Sequence, residues 1–90
     1  MAKFIIERDI PGAGKLTPLE LGIISQAVSR VVAQLGPRIE WIRSYIADDK
    51  VYCEYDAEKE EIILEHARLS KFVISRISKV KTVLCPIEEE

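Results

Sequence analysis

An α+β sandwich is the fold class this chain predicts, and three observations carry that prediction. The apolar residues change period along the chain, from strand-like to helix-like and back, in the order β-α-β-β-α-β. The segment 38–57 alternates as a hairpin does, with aromatic and charged side chains gathered on one face. With 90 residues, 48% hydrophobic and 31% charged, the chain has the size and composition of one globular domain. That domain is expected over 1–87, with a solvated acidic tail at 88–90.

The first strand is predicted over 3–9, where Phe4, Ile5 and Ile6 are β formers. Pro11, Gly12 and Gly14 mark the loop that follows. Thr17, Pro18 and Glu20 are a helix start: a cap, a first-turn proline and the return arm of a capping box. Ile24, Ala27, Val28, Val31 and Leu35 then form one apolar stripe, and Gly36-Pro37 stops the helix. The hairpin turns at Asp48-Asp49. Asp56 is placed to cap a second helix over 57–69, with Ile62, Ile63, Ala67 and Leu69 as its apolar positions. A connection at 70–75 leads to a last strand over 76–85, ended by Pro86.

In one small domain this order predicts a ferredoxin-like sandwich: a four-stranded antiparallel sheet in the order 4-1-3-2, with two helices on one face. The other sheet face is then open. A two-residue turn sets Tyr45 opposite Tyr52 and Arg43 opposite Glu54. Side chains alternate along a strand. Ile5, Glu7, Trp41, Arg43, Tyr45, Tyr52 and Glu54 therefore share the open face. Ile42, Ser44, Ile46, Val51, Cys53 and Tyr55 lie under the helices with Phe4 and Ile6. Tyr, Trp and Arg are residues that interfaces favour, so the open face predicts a homodimer joined through it. Glu7, Arg43, Tyr45, Tyr52 and Glu54 are the candidate ligand-binding residues there.

Several function classes are disfavoured. A net charge of −2 does not make the basic footprint of a nucleic-acid protein. No apolar run approaches the roughly 20 residues needed to span a bilayer, and no signal peptide precedes the first strand. A cytoplasmic address is expected, without membrane or nucleic-acid partners. Cys53 and Cys85 are placed on strands about 10 Å apart, too far for a disulfide, so both read as buried thiols. Gly12-Ala13-Gly14-Lys15-Leu16-Thr17 is not a phosphate loop, which needs four residues between its glycines and Lys followed directly by Ser or Thr. Arg68, Lys71, Arg76, Lys79 and Lys81 form a basic run suited to protecting an edge strand.

His66 is the one histidine. It falls beside Ile62 and Ile63 at the border of the apolar stripe. The helix C-terminus, Glu61 and Glu65 all favour its charged form, so a raised pKa is expected. Metal-ligand spacing is weak, with no Cys-x-x-Cys and no His-x-x-x-His.

The runs Glu7-Arg-Asp-Ile-Pro-Gly-Ala-Gly-Lys-Leu-Thr17, Trp41-Ile-Arg-Ser-Tyr45, Asp49-Lys-Val-Tyr-Cys53 and Glu65-His-Ala-Arg68 together resemble a small bacterial nickel-binding-protein-like family, over about residues 4–86. The resemblance implies a ferredoxin-like fold, a homodimer and, in some members, nickel or another transition metal. It carries the helix histidine onto His66 and a Tyr-Cys pair onto Tyr52 and Cys53, making His66 and Cys53 the candidate metal ligands. Arg43 stands where many members have histidine, and a cation there repels a metal. Val73 stands where relatives tend to have proline.

The expected function is a small cytoplasmic dimer that binds a small ligand or a transition metal without catalysis. The alternative is a cofactor-free enzyme of oxygenase or isomerase type, with Tyr45, Tyr52 and His66 as acid–base groups around a pocket.

Overall fold

A computed structural model describes residues 1–87. The tail expected at 88–90 lies outside the described residues. The elements run β1 (Ala2–Asp9), α1 (Pro18–Leu35), β2 (Ile39–Ile46), β3 (Lys50–Ala57), α2 (Glu60–Ser70) and β4 (Arg76–Lys79). Single 3-10 turns stand at Ala13–Lys15 and Gly36–Arg38. The four strands form one antiparallel sheet in the order β2-β3-β1-β4. This is the ferredoxin-like arrangement that the pattern of periods predicts.

The boundaries of α1 follow local chemistry. Thr17 accepts from the Glu20 N–H, and the Glu20 carboxylate accepts from the Thr17 N–H, which completes the capping box. At the other end Gly36 takes φ 64°, a value that favours glycine, and its N–H bonds the Val32 carbonyl. Val28, Val31 and Leu35 bury the stripe of α1 against the sheet.

The hairpin has the predicted register at its turn: Tyr45 opposes Tyr52 and Arg43 opposes Glu54. Farther from the turn the register shifts, and Trp41 opposes Tyr55. Ile42 is the extra residue of a β-bulge, two residues facing one across the ladder. The bulge reverses parity, so Trp41 leaves the open face and packs against the core. The expectation that Trp41 is open and Ile42 covered is thereby corrected.

Three further boundaries differ. Strand β3 runs on to Ala57, so Asp56 pairs with Lys3 and does not cap α2. Helix α2 begins at Glu60, with Lys59 at its cap position and no side-chain cap bond. Strand β4 ends at Lys79 because its ladder with β1 covers only Phe4 to Glu7. Cys85 therefore lies beyond the strand and is exposed, while Cys53 is buried; both thiols are free. The basic residues Arg76 and Lys79 do lie on an edge strand.

The loop after β1 docks on the hairpin turn. The Ile10 N–H bonds the Asp49 carbonyl and the Gly14 N–H bonds the Asp48 carbonyl, both at 3.0 Å. The Gly12 N–H bonds Asp49 Oδ1 at 2.9 Å. A Cβ on Gly14 would stand 3.0 Å from Asp48 Cα, so glycine is needed for this approach. The amides of Ile10, Gly12 and Gly14 are thus engaged by the turn.

Candidate functional site

Strand alternation divides the candidate residues between two faces of the sheet. On the open face the rows Ile5–Glu54–Arg43 and Glu7–Tyr52–Tyr45 lie side by side across β1, β3 and β2. The five predicted ligand-binding residues are therefore brought together. Their charges already have partners. Glu54 accepts from Lys3 Nζ at 2.6 Å, and Arg43 Nε lies 3.6 Å from it. Lys3 also reaches Asp56 at 3.1 Å. Lys50 Nζ sits 3.5 Å from Glu7 and 3.7 Å from Asp9. The bond to Glu54 raises the Lys3 pKa, and the charge of Asp9 raises that of Lys50. Tyr45 is 54% exposed above this ion-pair lattice.

The interior face holds what sequence reasoning missed. Arg8 follows Phe4 and Ile6 inward and is 5% exposed. Its guanidinium lies over the Phe72 ring, 4.7 Å from the centroid. His66, expected at a border, is 2% exposed and meets Tyr55 edge to face, with ring centroids 5.2 Å apart. The His66 ring bonds the Val28 backbone, and its Nε2 has no hydrogen-bond partner. Arg8 Nε is likewise buried without a partner, and the Tyr55 hydroxyl faces the Arg8 guanidinium. The signal for Arg8 was present: the same alternation that turns Phe4 and Ile6 inward turns Arg8 inward too.

Electrostatics in this cluster run opposite to expectation. Burial pushes His66 down to about 4, the Arg8 cation pushes the same way, and the bond to Val28 offsets part of it. The helix end and nearby glutamates do not decide the outcome. Burial pushes the Tyr55 phenol far above its usual range, Cys53 adds to this, and Arg8 opposes it.

Beside the cluster a pocket of about 110 Å³ opens between α1 and the sheet. Its wall is almost entirely hydrocarbon, with Leu21, Ile24, Trp41, Ile46 and Phe72 prominent. Trp41 Nε1 donates to Ser44 Oγ at 3.0 Å, and Ser44 Oγ donates to Cys53 Sγ at 3.0 Å. Trp41, Ser44 and Cys53 thus satisfy one another on that wall.

The metal pair does not meet the open-face set, because Cys53 and His66 lie on the opposite side of the sheet. Among the described residues no three His, Cys, Asp or Glu side chains gather as a metal site. Arg8 stands beside the one imidazole. The donors of a single chain do not fit nickel. The same division separates Tyr45 and Tyr52 from His66, so the acid–base trio of the enzyme alternative shares no pocket within one chain.

The fold and its interior define a small ferredoxin-like α+β domain with a buried polar cluster beside an apolar pocket. Residues 4–80 match the family described as nickel responsive protein SCO4226-like, and the chain belongs to that family. The crystal structure of SCO4226 from Streptomyces coelicolor A3(2) superimposes with a TM-score of 0.76. It covers 92% of this chain and all of its own, at 16% identity, a likeness that shows the shared fold. No curated protein matches the chain. No helix among the described residues is long and apolar enough to cross a membrane.

Proposed function

We propose that this member of the nickel-responsive family is a non-catalytic dimeric binding module. Two copies associate through their open sheet faces, and each interior accepts a small apolar ligand beneath α1. The observation that carries this reading is the pocket of about 110 Å³ with its hydrocarbon wall. A cavity of about 150 Å³ with such walls stays dry and takes benzene, so the space here suits a ligand no larger than a small ring or a short alkyl group. Nickel is a separate part of the reading. The family's description supports it, whereas the donor set of one chain does not.

The test is titration with benzene, followed by the fluorescence of Trp41 on the pocket wall. A saturable change, abolished in Ser25→Leu, where a larger side chain fills the pocket, supports the reading. A response that climbs linearly and persists in that variant sinks it. Calorimetry with nickel addresses the metal separately: heat lost in His66→Ala restores a metal to the account, and no heat removes it.

A further inference from the structure

Strand β4 runs antiparallel to β1, toward Ala2, and the Val80 N–H makes the last tie, to the Lys3 carbonyl at 2.9 Å. The residues that follow are strand formers, Thr82 and Val83 among them, yet β1 has run out of partners for them. Residues 81–87 therefore leave the domain as an arm, and every one of them is exposed. The arm carries Val83, Leu84 and Ile87, with Leu84 96% exposed. The radius of gyration is 14.1 Å, against about 12 Å for a compact chain of this length, as a projecting arm requires.

The opposite end of the domain exposes apolar surface of its own. Leu19 and Ile23 stand at the start of α1, Tyr45 and Ile46 at the hairpin turn, and Val73 in the connection after α2. Ile10, Leu16, Ile46 and Phe72 bring the apolar pocket to that same end. Exposed apolar surface of this kind marks a place of contact. Lys15 and Lys71 adjoin the pocket residues Leu16 and Phe72 in the chain, and Glu88, Glu89 and Glu90 follow the arm, so the two ends offer opposite charges. The carboxylates of Glu20 and Asp49 at the pocket end are already held by backbone N–H groups.

We propose that each copy in the dimer inserts the Leu84 side chain of its arm into the apolar pocket of the other. The inference rests on the dimer and the pocket proposed above, and it names the alkyl group that the pocket takes. A leucine side chain is four carbons, within what a space of about 110 Å³ admits. An arm cannot serve its own pocket, because it leaves from the far end of the same sheet. A second copy brings the two ends together. When two sheets meet face to face about a two-fold axis across the strands, the Ala2 end of one β1 lies over the Asp9 end of the other. Seven extended residues span about 23 Å, enough to cross the roughly 10 Å between packed sheets and pass round the partner's turn. The exchange is reciprocal, so it closes at two copies.

Benzene is the probe, titrated into the full chain as wild type, Leu84→Asp and Thr82→Asp while Trp41 fluorescence is followed. In the wild type benzene must displace Leu84. Leu84→Asp vacates the pocket and should bind benzene at least fivefold more tightly. Thr82→Asp adds the same charge to the same arm and should change the affinity less than twofold. Saturable binding of equal strength in all three overturns the insertion of Leu84 and leaves the pocket standing. Binding that does not saturate in Leu84→Asp removes the pocket, and the insertion with it. A second measurement reads the contact directly. In a dimer mixed from labelled and unlabelled copies, NMR should show the Leu84 methyls of one copy against the Trp41 indole of the other. A dimer without that contact overturns the proposal, whereas a wild type that scatters as a monomer removes the dimer itself.

Discussion

Trp41 and Ser44 lie on the same side of β2 and share a hydrogen bond of 3.0 Å, although three residues apart in a strand they should face opposite ways. The bulge at Ile42 makes this contact. It moves the only tryptophan from the surface to the wall of the pocket.

Trp41→Ala should therefore act on stability, with a loss of about 3 kcal/mol in chemical denaturation. Trp41→Glu should unfold the chain and leave no soluble monomer. Deleting Ile42 keeps Trp41 opposite Tyr55, so tryptophan emission should stay blue-shifted in that variant. Emission that moves to the blue only on deletion would mean that the strand carries no bulge.

Association is expected to depend on the face that Trp41 has left. Light scattering should return about twice the 10.2 kDa chain mass. Tyr45→Glu, at the most exposed aromatic of that face, should give monomer with unchanged far-UV circular dichroism. A dimer that survives the substitution places the interface elsewhere.

His66 gives the protein an acid-sensitive core. Its folded pKa of about 4 lies below its ordinary value of 6.5. Above pH 6.5 both folded and unfolded chains hold it neutral, and its contribution is fully present. As pH falls from 6.5 to about 4 the unfolded chain takes up the proton first, so stability drops by on the order of 3 kcal/mol. Denaturation curves at pH 7 and pH 4.5 should show this drop in the wild type and a smaller one in His66→Gln. Equal drops in the two proteins would assign the acid sensitivity to carboxylates.

The helix ends offer a control of opposite signs. Thr17→Ala removes the cap of α1 and should cost about 1 kcal/mol. Lys71, beyond α2, holds φ 61° without being glycine. Lys71→Gly should relieve that conformation and stabilise by about 1 kcal/mol. Thermal melts that move in opposite directions confirm both assignments.

The legible parts of the fold were those written by short-range chemistry. Thr17-Pro18-Leu19-Glu20 fixes where α1 starts, Gly36 where it ends, and the tight turn at Asp48-Asp49 sets Tyr45 against Tyr52. The bulge was not legible. Trp41 and Ile42 are both large and apolar, so either parity satisfies the pattern, and packing beneath α1 decides. The length of β4 depends on how far β1 offers it a partner, which is a tertiary fact. The open-face residues were found because alternation is local. The interior cluster was missed because a charged residue between Glu7 and Asp9 reads as a strand end. Tyr55 and His66 meet only when α2 lies down on β3.

Of the two central strands, β1 is also the first strand made. Ile6 on β1 sits between Cys53 on β3 and Ile77 on β4, both far downstream. As the chain leaves the ribosome, β1 has neither ladder available while α1 is completed. Only after β4 has emerged can the sheet close on both sides of β1 and seal Arg8 beneath Phe72. Long-range pairing of this kind slows folding and leaves hydrophobic strand edges bare in the interval. A nascent chain halted before residue 76 should therefore keep β1 open to proteases, with its unpaired edge available to any chaperone that binds extended apolar segments.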